Sequence, residues 1–415
     1  MIVKIIGMVA AFSISVILGR TIGPEGLGVI NIVNKIIAIS VILALLGTNT
    51  VILKEIAIAY ERKDWQHVAK TIFTGIKINI PVALVLSFIL IWVTPWLTEN
   101  FFDDNKLRIP LIISSSVIVF QIFSKILVSG INGFRKVWQS NLFNETLSFI
   151  IVFLGLMTLF VVNQEITILK VTILYAISRI FVALITGIYW KKLFKYRGKK
   201  VSNVSKMLKT SLPLLIVSST SMIAANADVV MLGWLSNSRE VGFYSVAAQL
   251  GLLSNFFLAV SISSLSPKIA SLYADKKMQA LQKMIQQVTK GLFFLGIITI
   301  ITYFFTGKFI LSIWGQEFVP SYWILIIITV GQFFNISTGS TGVILMMTGH
   351  EKIISKITVI SLVLNLIMNY VLIPKYGAAG AATATAGTVI VENVIKVIVL
   401  KNKTNISTIP FFREN

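Results

Sequence analysis

Lys191-Lys192-Leu193-Phe194-Lys195-Tyr196-Arg197-Gly198-Lys199-Lys200-Val201-Ser202-Asn203-Val204-Ser205-Lys206-Met207-Leu208-Lys209 stands near the middle of this 415-residue chain and is its longest polar run. Eight of these residues are cationic. On either side the chain is apolar in stretches long enough to cross a bilayer, whose hydrocarbon core of about 30 Å takes roughly 20 helical residues. Six such spans precede the run: 1–19, 29–53, 71–97, 107–131, 137–162 and 167–190. Six follow it: 209–234, 241–266, 289–313, 321–347, 354–374 and 377–400. The reading is an all-α polytopic membrane protein of about 12 transmembrane helices in two six-helix bundles. Its expected parts are an N-terminal bundle (1–190), a basic cytoplasmic linker (191–208), a C-terminal bundle (209–400) and a cytoplasmic tail (401–415).

The remaining charge fixes the expected orientation. Basic and nearly neutral linkers alternate along the whole chain. The side holding the central run also holds Lys54, Arg62, Lys63, Lys70, Arg135, Lys136, Lys268, Lys276, Lys277, Lys283, Lys290, Lys352 and Lys356. With Lys4, Lys401, Lys403 and Arg413 it carries 25 of the 37 Lys and Arg, against six acids; the other side carries seven of each sign. The positive-inside rule then places both termini in the cytoplasm. Most tryptophans fall at predicted span ends, where an amphipathic ring sits best. The formal charge of +21 is a topology signal and an attraction to anionic membrane lipid, not a phosphate-tracking groove, so no nucleic-acid partner is expected. The chain is 56% hydrophobic and 13% charged, with a mean hydropathy of +0.86. It has no cysteine and two histidines, both in basic linkers. Disulfides, thiol catalysis, a metal site and a cofactor are therefore not expected. Residues 1–19 read as a retained span, not a cleavable leader. Pro81 and Pro213 each free a carbonyl inside a span and predict a kink or local opening.

The halves resemble each other. Leu18-Gly19 is followed at Gly28, and Leu232-Gly233 at Gly242, by a glycine that starts the next span. Asn132-Gly133-Phe134-Arg135 matches Thr348-Gly349-His350-Glu351 at the ends of spans four and ten. An even number of spans per half makes these parallel repeats, related by a pseudo-twofold along the membrane normal, with a substrate path at their interface.

Several segments carry a further likeness. GRTIGPEGLGVINI (19–32) is similar to a signature of polysaccharide-export flippases. SLPLLI (211–216), ADVVMLGWL (227–235), EVGFYSVAAQL (240–250), LIIITVGQFFN (325–335), LMMTGHEK (345–352) and LNLIMNYVLIPKYGAAGAATAT (364–385) resemble successive parts of their second half. From about residue 10 to residue 400 the chain resembles the oligosaccharide-flippase branch of the multidrug/oligosaccharidyl-lipid/polysaccharide exporter superfamily. The resemblance implies a flippase that moves a polyprenyl-phosphate- or pyrophosphate-linked oligosaccharide from the inner to the outer leaflet of a prokaryotic plasma membrane. It implies work alongside glycosyltransferases of the same pathway.

Eight ionisable residues lie inside the spans: Lys35, Lys77, Lys125, Glu145, Arg179, Asp228, Glu392 and Lys396. Each costs about 2.5–3.5 kcal/mol at a helix centre. Eight facing lipid would cost on the order of 20 kcal/mol, more than a net folding stability of roughly 5–15 kcal/mol. Most must be paired, snorkelling or facing water. Gln121, Lys125 and Ser129 share a helix face, as do Tyr175 and Arg179, Asn31 and Lys35, Asn141 and Glu145, Gln332 and Asn335, and Asn365 and Asn369. These stripes outline a hydrated, partly cationic interior. The expected substrate-binding residues are Arg179, whose planar fork takes two phosphate oxygens, with Lys35, Lys125, Gln121, Asn31, Tyr175, Asn365 and Asn369. Asp228, where the flippase relatives commonly carry an acid, and Glu145 serve either a coupling cation or an ion pair with a membrane lysine. Lys77 and Lys396 lie close enough to the cytoplasmic face to snorkel, and Glu392 and Lys396 are spaced to pair.

Three rivals fit less well. A cation-coupled multidrug antiporter of the same superfamily needs acids as its main intramembrane charges, and here five bases face three acids. A polytopic glycosyltransferase or polymerase needs a large outer loop or soluble domain, which the sequence lacks; Asp103-Asp104 reads as a solvated turn. A scaffold does not explain the buried charge.

Overall fold

The structure is a computed structural model that describes residues 2–196 and 202–408. Arg197, Lys199 and Lys200 of the central run, and Arg413 and Glu414 of the tail, lie outside the described residues. Every regular element among the described residues is a helix. Eight helices are long and apolar enough to cross a membrane, and two bent pairs, Asn105–Ser116 with Ile118–Gly133 and Val204–Thr220 with Met222–Leu235, are each bent by 46° and pass the same test. The most exposed side chains include Phe88, Trp92, Phe305 and Phe309, each above 70% exposure. Bulky rings turned outward in this number mark a surface solvated by lipid.

Two helices are too long to be single spans. Ile2–Leu45 and Glu351–Thr404 have 44 and 54 residues, or about 66 and 81 Å if straight, at 1.5 Å per residue. Each contains one glycine with non-helical backbone: Gly23 (φ 66°, ψ −175°) and Gly377 (φ 54°, ψ −131°). The second helix demonstrably doubles back, because a Cβ built on Gly387 would lie 3.2 Å from Met368 Cε. Residues so far apart on a straight helix would be separated by roughly 30 Å. The first does the same: Thr146 donates its hydroxyl to the Val3 carbonyl at 3.3 Å, while Lys35 lies within electrostatic reach of the adjacent Glu145. Counting two spans in each long helix gives the twelve crossings read from the sequence.

A second set of features shapes individual spans. Span two breaks at Leu46 (φ 50°) and Gly47 (φ 71°). Thr48 bridges the gap by donating to the Leu45 carbonyl at 2.8 Å, and the Asn79 amide of span three donates to Thr48 Oγ1 at 2.7 Å. The backbone of span seven crosses here, so close that a Cβ on Gly47 would come within 2.7 Å of Leu215 N. The predicted opening at Pro81 is not seen: Trp65–Trp96 carries no non-helical residue. The bend in span seven falls at 220–222 and not at Pro213. At the start of Ser238–Gly251, Asn237 accepts from the Glu240 N–H at 3.0 Å. The Glu240 carboxylate in turn accepts from Ala378 N–H at 2.7 Å. It caps the arm that follows Gly377, where unsatisfied N–H groups and the helix dipole favour an anion.

The chain divides into two compact units, residues 1–230 and 231–415. In the first the best-buried side chains include Ile32, Ile37, Ile52, Ile118 and Ile122; in the second they include Trp314, Phe318, Leu325 and Leu345.

Candidate functional site

Four of the ionisable residues inside the spans of the first unit, Arg179, Lys35, Glu145 and Lys125, are linked through hydrogen bonds, an ion pair and chain neighbours. Arg179 projects from Ile168–Leu193 with its Cζ 5.9 Å from the centre of the Tyr175 ring one turn away. Its Nη2 donates to Asn34 Oδ1 of span two at 2.8 Å. Its Nη1 is buried and has no hydrogen-bond partner among the described residues. Next to Asn34 stands Lys35, which lies within electrostatic reach of Glu145 of span five. Glu145 also lies 3.7 Å from Lys125 Nζ of span four, which donates to Asn144 Oδ1 at 2.6 Å. Lys35, Lys125 and Glu145 of spans two, four and five thus form one charge cluster with an excess cation that draws an anion, and Arg179 of span six is tied to the same stretch of span two through Asn34.

Local backbone supports this arrangement. Leu142–Thr146 is a π-helical turn, a bulge that commonly marks functional positions, and it carries both Asn144 and Glu145. The carboxylate of Glu145 is 65% exposed and the Lys125 side chain 29%, so this pair is open on one side. Asn31 and Gln121, one turn from Lys35 and Lys125, are half-buried, and their side chains hydrogen-bond to no described residue. A guanidinium with one buried, unmatched N–H edge is costly, and an anionic oxygen is the ligand that would satisfy it, through a charge-assisted bond.

The other expected residues lie elsewhere. Asn369 donates to Asn365 Oδ1 at 3.0 Å, both buried, inside the second unit. Asp228 is half-buried in span seven and engaged by a neighbour. Glu392 and Lys396 form an ion pair at 2.6 Å, each about a fifth exposed or less. Lys77 reaches Ser202 Oγ at 3.4 Å. No group of three or more His, Cys, Asp or Glu suited to a metal occurs among the described residues.

Spacing along one helix does not identify the amides that touch the cations. It favours Asn31 and Asn141, which share a helix face with Lys35 and Glu145, whereas the amides that touch the cations are Asn34 and Asn144. Each stands directly beside a charged residue, Asn34-Lys35 and Asn144-Glu145, and that adjacency was the available signal. A further amide cluster in the second unit joins Asn255, Gln332, Asn335 and Asn393.

The chain is a polytopic helical protein whose two long helices each fold back at a glycine. The lipid II flippase MurJ in an inward closed conformation has this fold: its TM-score is 0.74 over 96% of this chain and 86% of its own, at 17% identity. The chain belongs to the polysaccharide biosynthesis protein family, whose model matches residues 1–273. The MatE family model matches residues 213–371. A capsular polysaccharide biosynthesis protein, CapF of Staphylococcus aureus, is 29% identical over 48% of this chain and 52% of its own length. A probable low-salt glycan biosynthesis flippase, Agl15 of Haloferax volcanii, is 26% identical over 40% of this chain and 36% of its own. The chain therefore spans about half the length of the first of these relatives and about a third of the second.

Proposed function

We propose that this protein is a flippase that carries a lipid-linked oligosaccharide from the inner to the outer leaflet of a prokaryotic cell membrane by alternating access. Both termini are cytoplasmic, and no bond is made or broken. A polyprenyl tail is at home in lipid, but a phosphate or diphosphate headgroup is not: a naked charge in hydrocarbon costs tens of kcal/mol by the Born estimate. The protein supplies a polar path for the head and leaves the tail outside. The observation that carries this reading is the free Arg179 Nη1, on a guanidinium bonded to Asn34, the chain neighbour of Lys35. Arg179 takes the phosphate, and the two lysines offset its charge. Glu145, paired with Lys125, keeps that attraction weak enough for release. The family membership and the relatives named for polysaccharide and glycan synthesis support the same substrate class. Glycosyltransferases that make the headgroup act before it, and anionic lipid attracts its basic face.

The test is transport in proteoliposomes loaded with a fluorescent polyprenyl-diphosphate saccharide, read by access of a quencher to the outer leaflet. Protein-dependent movement that falls with Arg179→Gln supports the proposal. Movement no faster than in protein-free vesicles rejects it.

A further inference from the structure

The amide cluster of the second unit has a direction. Asn393 Nδ2 donates to its own helix, at the Val389 carbonyl, at 2.9 Å. A backbone carbonyl can only accept, so this bond fixes which end of the Asn393 amide is nitrogen. The same Nδ2 donates to Asn335 Oδ1 at 3.3 Å, which fixes Asn335 in turn. Asn335 Nδ2 then donates to Asn255 Oδ1 at 3.2 Å and Gln332 Oε1 at 3.3 Å. At the other end Thr338 Oγ1 reaches Asn393 Oδ1 at 3.2 Å, sharing its one proton with the Phe334 and Asn335 carbonyls at 3.0 and 3.3 Å. One carbonyl thus orients every amide in the ladder. The polarity leaves Asn255 Nδ2 and Gln332 Nε2 with no acceptor among the described residues.

Asn255 and Gln332 fall near the middle of spans eight and ten, where an amide that faces lipid finds no water and one that faces a polar path is open to a ligand. Gln332 is 5% exposed, while Asn255 and Asn335 are only partly buried, so the open end of the ladder can be reached. Polar donors held at mid-membrane depth call for an acceptor oxygen. The neighbouring ionisable groups on the Asn393 helix, Glu392 and Lys396, neutralise each other. The pattern suits a neutral acceptor better than a phosphate.

We propose that Asn255 and Gln332, oriented through Asn335 and Asn393, form an uncharged binding site for an acceptor oxygen of the glycan, a sugar hydroxyl or an acetamido carbonyl. This assignment rests on the flippase reading and deepens it by naming the part of the substrate that these amides recognise.

The test uses full-length protein in nanodiscs and two probes, a polyprenyl diphosphate bearing an N-acetylhexosamine and the same polyprenyl diphosphate without sugar. Gln332→Met and Asn255→Leu each remove a free donor. Each should weaken the sugar-bearing lipid about tenfold, the equivalent of about 1.4 kcal/mol, and leave the sugar-free lipid unchanged. Gln332→Glu keeps the oxygen that receives Asn335 and should act as Gln332→Met does, even if the latter lowers the unfolding midpoint. Thr338→Val breaks the far end of the ladder without touching a free donor and should bind both lipids as the wild type does. Equal losses for the two lipids, or a Thr338→Val variant that behaves as Gln332→Met, would show a purely structural clamp and overturn the assignment alone. A wild type that binds neither lipid would overturn the flippase reading and this site together.

Discussion

Arg179 and Asn34 are joined by one hydrogen bond of 2.8 Å, and it uses only the Nη2 edge of the guanidinium. The other edge is buried and open. The asparagine fixes the fork without neutralising it, because an amide oxygen carries no net charge. The arrangement therefore presents a positive charge already aimed, with its orientation cost met before a ligand arrives.

Removing that fork should be expensive for transport. Hydrogen bonds to charged groups contribute roughly 1.5–3 kcal/mol each, so Arg179→Gln should slow translocation by about tenfold or more. Arg179→Lys keeps the charge but loses the planar fork, and should retain an intermediate rate. Asn34→Leu should behave like Arg179→Lys, because it frees the guanidinium to swing. Initial rates in proteoliposomes, at equal protein incorporation, check all three. Equal rates for Arg179→Gln and wild type would remove this residue from the path.

The cationic interior also bears on the driving force. Outward movement of an anion runs downhill in an inside-negative potential, by about 2.3 kcal/mol per charge per 100 mV. A doubly charged diphosphate should gain roughly 4–5 kcal/mol. With ion gradients abolished, a potassium-valinomycin potential should drive accumulation in the outer leaflet. Clamping it to zero should leave only equilibration. Unchanged accumulation at zero potential would point to a coupled ion instead.

The absence of native cysteine makes topology directly measurable. A cysteine at Lys63, in a turn between spans two and three, should react with a membrane-impermeant maleimide only after the cells are opened. A cysteine at Asn163, in the turn between spans five and six, should react in intact cells. Both residues adopt positive φ in exposed turns (54° and 55°), so neither replacement disturbs a packed interior. The reverse labelling pattern would invert the orientation.

Gly377, at the fold-back of Glu351–Thr404, should tolerate a side chain poorly. Its φ of 54° lies in the left-handed region, and a Cβ there would meet Glu240 Oε2 at 2.7 Å. Left-handed backbone costs an L-residue roughly 1–2 kcal/mol, and displacing the carboxylate also weakens its bond to Ala378. Gly377→Ala should lower the thermal unfolding midpoint in detergent, whereas Gly349→Ala, with open space at its Cβ position, should lower it less. An unchanged midpoint for Gly377→Ala would mean that the turn is not held in this shape.

Span number and the likeness to the exporter family were legible in the sequence, because the thickness of a bilayer and the alternation of basic linkers act on composition alone. Arg179, Lys35, Lys125 and Glu145 were legible as a group for the same reason: ionisable side chains are conspicuous against an apolar background. Their partners were not. Spacing along one helix picks Asn31 for Lys35, but the rotation of span two against span six decides that Asn34 meets Arg179, and that rotation is set by packing. The break at Leu46-Gly47 is equally hidden, since no proline marks it, while the effect of Pro81 is absorbed within an unbroken helix. The direction of the amide ladder depends on one carbonyl, Val389, which no sequence pattern marks.

The central claim is that Arg179 binds the headgroup phosphate. Its most direct test is a cryo-electron microscopy map of the protein in nanodiscs with a polyprenyl-diphosphate saccharide. The account predicts phosphate density within hydrogen-bonding distance, about 2.7–2.9 Å, of Arg179 Nη1, with Nη2 still on Asn34. A headgroup resolved elsewhere, with Nη1 unliganded, would contradict it.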